Sequence, residues 1–320
     1  MFRFTLVAST LVAMTLVGCG KSDSAKDGDA QKVIGITIMT AKNPFFVQLA
    51  DAAKAEAEKN GFKAIIRDGA NDADKQASQI QDFIEQGVDA ILLTPCNAQL
   101  AGAAVREANR AGIPVFTADT GVIDEKAEIV CHIATDNYAG GKQAGAAMIE
   151  ALGGKGGKIL VLDYKVAQSC LQRVKGFKEV VDAHNTKNPS SQIVIVAELP
   201  GEASRDPSSK AAADVLEKNK DLVGVFAIND PSALGAVAAI EAAGLQKQVK
   251  VIGFDGQRIG KEAIKEGKIY ADPIQFPEQM GRMSVQKMVE FFEGKRPEKQ
   301  ILIPTALYRK ADADKDPELK

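Results

Sequence analysis

The sequence predicts two α/β lobes, each a doubly wound parallel sheet. From residue 32 onward short β-branched runs alternate with helical stretches, the pattern of βαβ units. The alternation comes as two successive groups. At 320 residues the chain also exceeds what one hydrophobic core usually serves.

The elements follow in order. KVIGITIM (32–39) is a buried strand, and Asn43 and Pro44 open the helix after it: Asn is a good N-cap, and proline at the first helical position loses no hydrogen bond. That helix ends at Asn60-Gly61. FKAIIRD (62–68), VDAILLTP (88–95) and IPVFTAD (113–119) are the next strands, separated by the helical stretches DADKQASQIQDFIEQG and AQLAGAAVREANRAG. GKILVLD (157–163), SQIVIVAEL (191–199), LVGVFAIND (222–230) and VKVIGFD (249–255) repeat the pattern, with a helix between each pair.

Residues 1–18 do not fit the pattern. One basic residue, a short apolar core and LVGC (16–19) read as an export signal ending at a lipobox, with Cys19 as the lipidated first residue of the mature chain. Residues 19–31 are a polar tether leading away from such an anchor. The expected location is therefore periplasmic or cell-surface, with the membrane touched only through lipid. A net charge of −2 lacks the basic excess that nucleic acid would require. Cys96, Cys131 and Cys170 remain, without C-x-x-C spacing. They read as free buried thiols, one disulfide being the alternative.

Ligands of open parallel sheets bind beyond the carboxyl ends of the strands. Here those ends share a chemistry: TAKN, TPCN (94–97), TAD (117–119), AIND (227–230) and GFD (253–255) each offer Asn or Asp. Any one could be merely a helix cap; five together point to a polar cleft. No G-x-G-x-x-G or G-x-x-x-x-G-K-[ST] cradle follows a strand, and no G-x-S-x-G elbow occurs. Only His132 and His184 are present, which leaves little for general-base chemistry or zinc. His132 falls in a strand pattern and reads as a hydrogen-bonded structural residue; His184, ending a helix, reads as solvated. No catalytic residue, metal site or cofactor is expected.

NPFF after the first strand, DGAND (68–72), PVFTADT with HIATDNYAGG (114–141), AIND, VIGFDG (251–256) and IQFPEQMG (274–281) resemble the type I periplasmic sugar-binding proteins of ABC transporters, ribose binders above all. The likeness covers roughly residues 32–310. It implies two lobes joined by a three-strand hinge and interleaved in sequence: 32–135 plus 276–303, and 136–275 plus 304–310, with 311–320 as a tail. It also places ligand contacts at Asn43, Phe45, Phe46, Asp119, Arg173, Asn229, Asp255 and Gln275. Carboxylates would accept from sugar hydroxyls, Arg and Asn would donate, and an aromatic face would cover the C–H face of the ring. Phe46 shares a stripe with Leu49 and Ala53, so Phe45, rotated about 100° away, is the freer of the two to face the ligand.

Two positions depart from the ribose pattern. Thr120 stands where those proteins carry arginine, and Ala203 where they carry an aromatic. Both are expected to face the ligand, which points to a sugar other than ribose; Lys42 and Tyr164 are additional candidate contacts. The resemblance implies a monomer that captures a monosaccharide or polyol and delivers it to an ABC permease. Presentation to a chemoreceptor is the alternative, and a sugar-acting enzyme using Asp119 and Asp255 a further one. A sugar-responsive repressor would need a helix-turn-helix in place of the signal. Arg173 and Asp255 are expected to pair only with ligand or water, so truncating either should spare the empty protein's stability.

Overall fold

Ile34, Ile36 and Ile38 alternate along the first strand, and its intervening residues are buried too, as in a parallel strand covered on both faces. The computed structural model describes Met1 and residues 31–320; the expected signal, Cys19 and nearly all of the tether lie outside the described residues. The first sheet has the order β11-β5-β4-β3-β1-β2 and is parallel throughout. Its strands are β1 (Val33–Ile38), β2 (Lys63–Asp68), β3 (Ala90–Leu93), β4 (Val115–Ala118), β5 (Ile129–Thr135) and β11 (Gln300–Ile303). Helices α1 (Pro44–Lys59), α2 (Ala73–Gln86), α3 (Ala101–Arg110) and α9 (Pro277–Phe292) pack around it.

The second sheet runs β12-β10-β9-β8-β6-β7. It comprises β6 (Gly157–Asp163), β7 (Ile193–Pro200), β8 (Leu222–Ala227), β9 (Lys250–Ile252), β10 (Ala271–Ile274) and the antiparallel edge strand β12 (Ala306–Arg309). Its helices are α4 (Asn137–Ala151), α5 (Gln168–Lys187), α6 (Arg205–Lys218), α7 (Asp230–Ala242) and α8 (Arg258–Lys265). The chain thus passes between the sheets three times: after β5, after β10 and between β11 and β12. β5 and β10 to β12 lie outside the eight strands read from alternation alone, because they sit at the crossings, where the regular βαβ spacing breaks.

Each sheet buries a separate apolar cluster, under α2 and α3 in the first lobe and under α6, α7 and α8 in the second. A third cluster draws on both lobes, with Phe46 and Cys96 among its members from the first and Tyr164 and Cys170 from the second. Residues 311–320 are a docked segment. α10 (Lys310–Ala313) buries Ala313, Tyr308 donates to Asp316, and Lys261 of α8 pairs with Asp316 and Glu318. Cys96, Cys131 and Cys170 are all free and buried. No helix among the described residues is long and apolar enough to cross a membrane.

Candidate functional site

A cleft of about 370 Å³ opens between the lobes at the carboxyl ends of the strands. On the first-lobe side the β1–α1 turn forms its lip. Asn43 caps α1 by accepting the Phe45 N–H at 3.0 Å, and Pro44 takes the first helical position. Phe45 and Phe46 both border the cleft, edge to face with centroids 5.2 Å apart. Their burial differs from the helical-wheel expectation: Phe45 is 2% exposed and Phe46 5%, so neither is the freer. At the first turn of a helix the side chain packs against the preceding loop as well as the stripe below, so both rings find a wall.

Asp119 closes β4 and reaches the cleft from the same lobe. It adopts φ 64°, and its partner across the cleft, Asp255, adopts φ 105°, in the left-handed region where a non-glycine residue is strained. Such strain persists only where surroundings enforce it and concentrates at functional sites. Asp119 is buried, and no protein donor among the described residues reaches its Oδ1. Burial pushes its carboxyl up to about 7; Arg173 pulls down and Asp255 adds to the rise.

The second lobe supplies a wired array. Arg173 lies on α5, set by close packing on α4: a side chain at Gly141 would meet the Arg173 carbonyl, and one at Gly176 the Tyr138 carbonyl. Its guanidinium donates to Asn137 Oδ1 (2.8 Å), Ile228 O (2.6 Å) and Asp255 Oδ1 (2.9 Å) and stacks 3.9 Å from the Phe254 ring centroid. Gln275 donates to the same Asp255 oxygen at 2.6 Å and accepts from Thr135 at 2.7 Å, joining two of the interlobe crossings. Burial holds the Asp255 carboxyl above the ordinary range, against the pull of Arg173, Gln275 and Asn43. Asn229 caps α7 through Ser232 N–H and donates to Ala203 O at 3.1 Å.

Lys42, Tyr164 and Ala203 also line the cleft, Lys42 from an exposed position. Thr120 does not. It is fully buried, and its hydroxyl accepts the Ser169 N–H at 3.3 Å, a contact from one lobe to the other. The strained turn at Asp119 sends that carboxylate to the cleft and the next side chain the other way. Arg173 also departs from expectation, since it is paired within the protein and is not held in reserve for a ligand.

Asn71, Ser169 and Arg205 line the cleft without having been read from the sequence. Ser169 sits four residues before Arg173 on one face of α5, a spacing that would have found it. Asn71 stands in the DGAND segment with φ 60°. Outside the cleft, His132 bonds Thr117 at 2.8 Å, and burial lowers its pKa to about 4. His184 is half-buried against Ser191 O, where a solvated ring had been expected.

A model of the periplasmic binding protein domain matches residues 34–296. The chain is 34% identical over 293 residues to the ribose import binding protein of Haemophilus influenzae, covering 92% of this chain and 96% of that protein. It is 31% identical over 314 residues to the D-apiose import binding protein of Paraburkholderia graminis, covering 97% and 95% respectively. A solute-binding protein of Bacillus halodurans with bound myo-inositol superposes with a TM-score of 0.81 at 27% identity, covering 90% of this chain and 98% of that one. The chain therefore belongs to the periplasmic binding protein family, with the type I two-lobe fold of the sugar-binding proteins of ABC transporters.

Proposed function

We propose that the protein captures a monosaccharide or cyclic polyol in the interlobe cleft and delivers it, unchanged, to an ABC permease. The observation that carries the reading is the pairing of a buried acceptor without a protein donor, Asp119 Oδ1, with the Arg173–Asp255–Gln275 array on the facing lobe. A hydroxylated ring inserted between them supplies donors to Asp119 and acceptors to Arg173, while Phe45 and Phe46 cover its C–H edge. Each charge-assisted bond formed in such a dry cleft contributes about 1.5–3 kcal/mol. Similarity to ribose and D-apiose import proteins supports import over presentation to a chemoreceptor.

The preferred ligand in this reading is not ribose. Ala203 leaves room in the wall of the cleft, and Thr120 is turned into the lobe contact, so no fork of donors follows Asp119. A hexose, ketose or inositol fills that space better than a pentose, by at least tenfold in affinity, or about 1.4 kcal/mol. Calorimetric titration of ligand-free protein with ribose, fructose, allose, galactose and myo-inositol, together with mass spectrometry of co-purifying small molecules, tests this. Tightest binding of ribose overturns the specificity; chemical turnover of any of these sugars overturns the non-enzymatic reading.

The protein acts as a monomer outside the cytoplasm, tethered through lipid on Cys19. The LVGC sequence supports the anchor. A diacylglyceryl mass on the amino-terminal peptide, and release from membranes by Cys19→Ser, are the expected results.

A further inference from the structure

Asp230 and Asp272 stand together in the interior of the second lobe, one at the start of α7 and the other on β10, and both are fully buried. Their carboxyls are in hydrogen-bond contact. Yet among the described residues no aligned donor reaches Asp230 Oδ1 or either oxygen of Asp272. The Gly253 N–H, which bonds Ala271 O at 3.2 Å, also bears on Asp272 and favours its charged form. Two acceptors cannot bond each other unless one carries a hydrogen. Two bare carboxylates in a dry interior would repel strongly, so the pair keeps a proton well past the ordinary carboxylate range.

Among the described residues no cation pairs with either carboxyl. Asp255 acts on both carboxyls and raises their proton affinity; Arg173 beyond it is committed to Asp255. On the surrounding elements, Lys261 of α8 turns to Asp316 and Glu318, and Arg258 to Glu262. Lys265 of α8 donates to Leu319 O, and Glu241 of α7 meets Lys268. Glu150 of α4 pairs with Arg309 of β12, and Lys142 with Glu179. On α6 the first-turn charges Arg205 and Asp206 are exposed. Burial, then the neighbouring carboxylate, holds Asp230 well above the usual range, and burial raises Asp272 to about 6.

The pair sits where three cleft-bearing segments meet. Asp230 adjoins Asn229 and accepts the Gln257 N–H at 2.6 Å, which fixes the loop two residues beyond Asp255. Asp272 lies three residues before Gln275 on β10. We infer that Asp230 and Asp272 share a single proton, and that this proton bridge positions Asn229, Asp255 and Gln275 for the sugar. The inference rests on the sugar-binding reading for its last clause only. Loss of the proton places two like charges beside Asp255 and drives the three segments apart.

The test combines carboxyl titration by 13C NMR of the ligand-free protein with melting and sugar titrations from pH 5 to 9, on wild type, Asp272→Asn and Asp230→Asn. One carboxyl of the pair should remain protonated at neutral pH in wild type. Sugar affinity should rise as Asp119 ionises and fall again, by about tenfold, as the bridge loses its proton. Each asparagine variant, carrying a permanent N–H donor, should keep the rising limb and lose the falling one. Ionisation of both carboxyls below neutrality, or a falling limb that survives in both variants, overturns the inference. If wild type binds no sugar at any pH, the functional reading fails and the positioning role with it, while the carboxyl titration still decides the proton bridge.

Discussion

Two aspartates face the cleft from opposite lobes, and the lobes hold them in opposite ways. Asp255 in the second lobe receives Arg173 and Gln275 on one oxygen. Asp119 in the first lobe is equally buried but has an oxygen with no protein donor. Both accept a strained backbone to get there. The contrast teaches that the second lobe satisfies its cleft aspartate from within the protein, whereas the first leaves an oxygen unpaired, which in the proposed function the ligand completes. On the proposed function, a hydroxyl reaching Asp119 would favour closure, and the permease would read the closed shape.

The sharpest way to break this asymmetry is Arg173→Ala. Removing one member of a buried pair leaves Asp255 uncompensated, so the empty protein should lose about 3–5 kcal/mol of stability, seen in its melting temperature, and sugar binding should fall with it. An unchanged melting temperature would show that the array forms only around ligand. Asp119→Asn should separate the two properties in the other direction. Affinity should drop by about 1.5–3 kcal/mol by calorimetry, with the fold intact.

Its pH dependence sharpens the comparison. The Asp119 carboxyl is raised to about 7 in the folded state, so the stability it contributes is present below the unfolded carboxylate value and lost as pH rises through about 7. Wild-type melting temperature should therefore decline between pH 5 and 8, and Asp119→Asn should remove part of that decline. Equal slopes in both proteins would refute the assignment. The smallest effect is expected from Thr120→Val. Loss of the bond from Ser169 N–H should cost about 1 kcal/mol of stability and change sugar selectivity little. A reordered sugar preference would put Thr120 back among the ligand contacts.

Much of the cleft was legible from local chemistry. The isoleucine alternation of β1, the Asn43 cap with Pro44, and the Asn or Asp at each strand end are short-range features, and they placed Asp119, Asn229 and Asp255 at the cleft through the strand-end rule. Arg173 needed the family resemblance, because a basic residue in the middle of a helix carries no local mark of burial. Thr120 was misplaced for a related reason: sequence adjacency to Asp119 says nothing of direction once the backbone turns through a positive φ.

The sequence by itself determined the strand and helix alternation, the two-group division, the polar strand ends and the family, since each rests on periodicity or on motifs within a few residues. The tertiary structure decided which polar groups are spent inside the protein. Arg173 with Asp255, Thr120 with Ser169, and Asp230 with Asp272 are separated by tens of residues, and whether a side chain meets ligand or protein is fixed by packing between α4 and α5 and by the three crossings. Those contacts depend on how elements stack in space, a long-range property that no local pattern encodes.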